Sequence, residues 1–85
     1  MFKPNIIIFI LHHTHLRKQA RMEIEILLWE LRTSKGLTLK ELEARSGVSK
    51  SEINAIENAK VSPRLDTLKL LADALGCRIS DLYRE

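Results

Sequence analysis

Two Ser/Thr-x-x-Glu boxes stand eleven residues apart in this chain: Thr38-Leu39-Lys40-Glu41 and Ser49-Lys50-Ser51-Glu52. Each is a helix start. The hydroxyl accepts from the backbone N–H three residues on, and the Glu side chain reaches back to the N–H of the capping residue. Two starts this close leave room for only about two turns of the first helix before the chain must turn. Gly47 lies between them and suits a left-handed turn residue. One helix is therefore expected from Thr38 to about Arg45, and another from Ser49 to about Glu57 that buries Ile53 and Ile56. Paired short helices joined by such a turn cross at ~90–120°.

The remaining sequence also reads as helical. Ile24, Leu27, Leu28 and Leu31 recur at i, i+3, i+4 and i+7, which predicts a helix from about Arg17 to Ser34, stopped by Gly36. Asn58 to Val61 reads as a loop. Ser62-Pro63 signals the next helix, with Pro63 in its first turn. Leu65, Leu68, Leu71, Ala72 and Leu75 form its apolar stripe, and Gly76 ends it. Ser80 is expected to cap a last short helix holding Leu82 and Tyr83. The expectation is an all-α fold of five helices plus an N-terminal extension.

A chain of 85 residues makes one domain and buries only about 60–65% of its unfolded surface. That leaves little room for a substrate cavity. No Cys–His, Ser–His–acid or metal-ligating constellation falls within residues 22–85, so an enzyme is not expected, nor is a cofactor or metal. Cys77 is the single cysteine. It cannot form an internal disulfide or a Cys-pair zinc site, fits a reducing cytoplasm, and reads as core filling. His12, His13 and His15 read as a solvated stretch.

Residues 6–11, Ile-Ile-Ile-Phe-Ile-Leu, are too few to span a bilayer, which takes roughly 20, and no small-residue cleavage site follows. No membrane association is expected. The helical domain reads as complete from Met22. Residues 1–21 are accordingly read as an N-terminal extension, arm or non-native leader, and residues 22–85 as the domain.

The formal charge of +3 is unevenly placed. Residues 1–21 carry four positive charges and no negative ones, whereas residues 22–85 carry ten and eleven. Within residues 32–64, seven positive charges face four negative ones. Phosphate contact needs a local patch of that kind rather than a net excess.

Residues 24–83 resemble the lambda-repressor/Cro-like (XRE-type) helix-turn-helix DNA-binding family. The resemblance is carried by Leu31-Arg32, Gly36-Leu37-Thr38, Leu42, Gly47-Val48-Ser49, Ile53, Ile56-Glu57-Asn58, Ser62-Pro63, Leu65-Asp66-Thr67-Leu68 and Leu75-Gly76. It implies a compact five-helix domain whose second helix-turn-helix element enters the major groove. By position, it implies that Lys50, Ser51, Asn54 and Ala55 contact bases. Asn can pair bidentately with adenine, and Lys can donate to guanine. Thr38, Asn58, Lys60 and Arg64 match positions that contact phosphates. Arg32 and Glu57 match a structural ion pair, while Thr38, Glu41, Ser49 and Glu52 supply the helix caps.

Three positions depart from the family pattern. Glu43 stands where a small residue usually packs, and Leu39 where Gln is frequent. Arg64 likewise replaces a Ser/Thr.

The resemblance implies a transcriptional regulator, expected to be a repressor, acting in the cytoplasm as a homodimer on double-stranded DNA. Trp29, Ile79, Leu82 and Tyr83 are divided between core and dimer seam. The alternative is an antitoxin-like protein-binding module of the same fold, with a toxin-like protein partner and secondary DNA binding.

Overall fold

The computed structural model describes residues 24–85. The N-terminal extension, with its apolar run and three histidines, lies outside the described residues, as do Met22 and the part of the first expected helix before Ile24.

The described chain begins as a strand, not a helix. Strand β1 (Glu25–Ile26) pairs antiparallel with β2 (Tyr83–Arg84), setting Glu25 opposite Arg84 and Ile26 opposite Tyr83. The Leu27 N–H then donates to the Leu82 carbonyl at 2.7 Å. An ion pair between Glu25 and Arg84 flanks the ladder. This corrects the expected helix 1, which begins only at Leu28. Ile24 is 43% exposed, while Ile26, absent from the expected helical stripe, packs on the core. Ile-Glu-Ile also has period two, and its two Ile residues are β-branched. The partner that decides between the two periods lies at the far end of the chain.

Helix α1 (Leu28–Ser34) closes with two bonds, Gly36 N–H to the Thr33 carbonyl at 2.9 Å and Leu37 N–H to the Arg32 carbonyl at 3.2 Å. This Schellman pattern delivers Leu37 into the core. Helix α2 (Leu39–Ser46) opens on the expected capping box with both bonds made: Glu41 N–H to Thr38 Oγ1 at 3.0 Å, and Thr38 N–H to Glu41 Oε1 at 2.8 Å. It stops at Gly47, whose φ of 79° is the left-handed conformation that a Cβ disfavours.

Helix α3 (Lys50–Glu57) opens on Ser49, which accepts from Glu52 N–H at 3.1 Å. Only half of this second box forms. Glu52 is exposed and its carboxylate makes no bond back to Ser49 N–H, unlike Glu41 at the first box.

Helix α4 (Leu65–Leu75) starts two residues after Pro63, with Arg64 at its cap. Pro63 thus precedes the first turn it was expected to occupy. Leu65 becomes the first helical residue and is 69% exposed, outside the core stripe of Leu68, Leu71, Ala72 and Leu75.

The fifth expected helix is a single 3-10 turn (Ile79–Leu82), started by Arg78 N–H donating to Asp81 Oδ2 at 2.9 Å. Ser80 lies inside it and caps nothing. Tyr83 belongs to β2, which draws the chain into extended form after one turn. The described residues therefore hold four α-helices, one 3-10 turn and a two-stranded ribbon.

Helix α2 packs against α3 and α4, α1 packs against α3, and the 3-10 turn closes over α4. Leu28, Leu42, Ile53, Ile56, Leu71 and Leu82 are the largest fully buried side chains. They come from four helices and the closing turn, so no pair of elements forms the core alone.

The loop after α3 repeats the closure of α1, with Ala59 N–H donating to the Ile56 carbonyl at 3.1 Å and Lys60 N–H to the Ala55 carbonyl at 2.9 Å. Ala59 holds the left-handed position at φ 60°, where a Cβ costs about 1–2 kcal/mol. Ala59→Gly should stabilise the domain by about 1 kcal/mol after the greater entropy of an unfolded Gly is counted. That corresponds to a rise of about 4–8 °C in the thermal midpoint. An unchanged or lower midpoint would show the strain to be absent.

Candidate nucleic-acid interface

The site begins with what holds α3 in place. Glu57 is the last residue of α3 and is 3% exposed. Arg32 of α1 meets it with a two-pronged contact, Nε to Oε2 at 2.6 Å and Nη2 to Oε1 at 3.0 Å. The third guanidinium nitrogen, Nη1, donates to the Leu37 carbonyl at 2.8 Å. Planar bidentate geometry of this kind is the strong form of the Arg–carboxylate bond. One buried side chain thus joins the end of α1, the α1–α2 loop and the end of α3. The ion pair was expected; the Leu37 bond was not, and no residue type in the sequence signals it.

With its inner side anchored, α3 has a clear division of faces. Ile53, Ile56 and Glu57 are buried. Lys50, Ser51 and Asn54 are exposed and Ala55 and Asn58 are half-buried. At about 100° per residue these five residues occupy one arc of roughly 140° on the opposite side. The four residues expected to contact bases are therefore presented together.

The other expected contacts are distributed around this helix. The Thr38 hydroxyl accepts from Glu41 N–H, which leaves its own proton for an outside acceptor. Lys60 is exposed. Arg64 is exposed too, and pairs with Asp66 Oδ2 at 2.8 Å, a surface contact worth little and readily exchanged. Asn58 does something the sequence did not announce: its Nδ2 donates to Asn54 Oδ1 at 3.1 Å. The i, i+4 spacing of two Asn residues was the available signal.

A helix-turn-helix family model matches residues 30–82. The chain belongs to the helix-turn-helix family. An uncharacterised helix-turn-helix-type transcriptional regulator, y4dJ of Sinorhizobium fredii, is 48% identical over 46 residues, 54% of this chain and 60% of that protein. The helix-turn-helix-type transcriptional regulator PuuR of Escherichia coli is 36% identical over 58 residues, 68% of this chain but 31% of its own length. The chain thus spans less than two thirds of either relative.

Within the helix-turn-helix frame two of the three departures, Glu43 and Leu39, acquire physical accounts. Glu43 is half-buried, yet its carboxylate is not among the buried oxygens lacking a partner. Among the described residues neither Arg45 nor Lys50 pairs with it. A half-buried carboxylate that is not sealed from solvent avoids the cost of a buried unpaired charge. Leu39 packs on the core, so the position contributes burial rather than a polar contact.

Of the residues divided between core and dimer seam, Leu82 is fully buried and Ile79 packs against the core, whereas Trp29 and Tyr83 are half-buried. Cys77 also packs against the core. Burial, then the charge of Asp81, pushes its thiol pKa up, against an opposing pull from Lys35. Among the described residues no helix is long and apolar enough to cross a membrane.

Removing one partner of the Arg32–Glu57 pair strands a buried charge. Glu57→Ala should lower unfolding free energy by about 3–5 kcal/mol. Asp73→Ala, which breaks the exposed Lys69–Asp73 pair, should lower it by less than about 1 kcal/mol. Urea titrations of both variants check the contrast, and losses of equal size would mean that burial does not set the strength of the pair.

Proposed function

We propose that this protein is a sequence-specific DNA-binding transcriptional regulator that lays α3 in the major groove. The observation that carries the proposal is the two-sided character of α3. Its inner side is fixed by Ile53, Ile56 and the Arg32–Glu57 pair, while its outer side offers Lys50, Ser51, Asn54 and Ala55. A major groove ~12 Å wide admits a helix of this kind. The regulator names of the two relatives support the same function.

In this proposal Thr38, Asn58, Lys60 and Arg64 contact phosphates and set the register, and the outer side of α3 chooses the sequence. The proposed role is that of a repressor acting in the cytoplasm. One helix reads only three or four base pairs. Useful specificity therefore calls for a homodimer on half-sites ~34 Å apart. The exposed Leu65 and Leu70 offer apolar surface for such pairing. Residues 22–85 would form the DNA-binding domain, with residues 1–21 as an arm or leader.

Selection from a random duplex pool with the purified protein tests this directly. An inverted repeat with half-sites about one turn apart is the expected product. No enrichment by a folded protein would overturn the proposal in favour of a protein-binding module. On an enriched duplex, Asn54→Ala should lose about 1–3 kcal/mol of discrimination at one base pair. Lys60→Ala should instead weaken all sequences alike and reduce the salt slope by about one. An Asn54→Ala variant with every wild-type preference intact would remove Asn54 from the reading face.

A further inference from the structure

The hydrogen bond between Asn58 Nδ2 and Asn54 Oδ1, 3.1 Å long, lies on the outer side of α3. The backbone reinforces it, since Asn58 N–H donates to the Asn54 carbonyl at 3.0 Å. Asn54 is exposed and Asn58 half-buried, so Asn58 is the more firmly held member. A side-chain amide is two-ended, with an accepting oxygen and a donating NH2. In water alone its two orientations are nearly equivalent. A donor fixed beside it removes the equivalence, because the reversed amide would set two NH2 groups against each other.

We infer that Asn58 is a positioning residue that fixes the amide orientation of Asn54 and thereby makes Asn54 select adenine. The inference rests on the proposal that Asn54 faces bases in the major groove. A carbonyl oxygen accepts at two sites. Asn58 occupies one of them. The other, together with an Nδ2–H, forms the edge that complements adenine N6–H and N7. Guanine presents two acceptors there, O6 and N7, and the fixed Oδ1 opposes one of them. Because the amide is oriented before DNA arrives, less rotamer freedom is lost on binding. A phosphate contact by Asn58 would strengthen binding to every sequence alike. Positioning changes the ratio between sequences.

The test uses the full chain, a duplex enriched from the random pool, and its single-base-pair replacements at the position where Asn54→Ala loses preference. Dissociation constants are measured by fluorescence anisotropy for the wild type, Asn54→Ala, Asn58→Ala and Asn58→Asp, and thermal melts establish that each variant is folded. The wild type should prefer adenine over guanine there by roughly 5–150-fold. Asn58→Ala should shrink that ratio severalfold while preferences at other positions stand. Asn58→Asp puts an acceptor beside Asn54, turns the amide over, and should bring the ratio to within about twofold. An unchanged ratio with uniformly weaker binding would leave Asn58 as a phosphate contact alone and overturn its positioning role. A preferred base other than adenine would overturn the adenine assignment. If Asn54→Ala alters no preference at any position, the proposal that Asn54 reads bases fails first, and this inference falls with it.

Discussion

The guanidinium of Arg32 is the point at which the fold becomes one object. It bonds both oxygens of Glu57 and the Leu37 carbonyl, and so ties the end of α1 and the loop after it to the end of α3, 25 residues away. Taking two charges out of water is expensive, and packed apolar side chains often serve stability as well. Geometry is what the pair adds. A leucine in place of Glu57 would fill volume but would not fix the rotation of α3 about its own axis. A fork of hydrogen bonds does fix it, and that rotation determines which residues face outward.

Orientation matters because α3 is only eight residues long. A helix of two turns has marginal stability of its own and relies on its ends. Ser49 caps one end, and the Arg32 contact with Glu57 and the Ala59 turn hold the other. Between them Ile53 and Ile56 are fully buried. Lys50, Ser51 and Asn54 are left on a side that contributes nothing to the core. That surface can serve recognition without loss of stability, which is the physical basis for placing the proposed base contacts there.

The two ends of the described chain meet in the β1–β2 ribbon. Its bonds supply partners for backbone groups ahead of α1, where Leu27 provides no side-chain cap. The ribbon also seats Leu82 over α4, completing the core with a residue from the last turn. The Leu82 carbonyl thus accepts the Leu27 N–H ahead of α1, as the Glu41 carboxylate accepts the Thr38 N–H ahead of α2.

The helix pair was legible because its signals are local. Thr38 and Glu41 make their bonds within four residues, Gly47 adopts the left-handed turn, and the stripe from Leu68 to Leu75 follows one helical period. The face of α3 was legible for the same reason. What the sequence could not decide were contacts between distant segments or choices between competing local patterns. Residues 24–27 satisfy both helical and extended periods, and only the pairing of Glu25 with Arg84 selects the strand. Pro63 marks a helix start, but the first helical residue is Leu65, two residues later, and it lies outside the core. The left-handed Ala59 carries no compositional mark, because its conformation is imposed by the bonds closing α3. By itself the sequence determined where α2 and α3 begin and which of their sides are apolar, since both follow from caps and periodicity. The tertiary structure alone decided how α3 is held against Arg32 and that the chain ends pair as a ribbon, because those depend on distances that spacing along a chain does not specify.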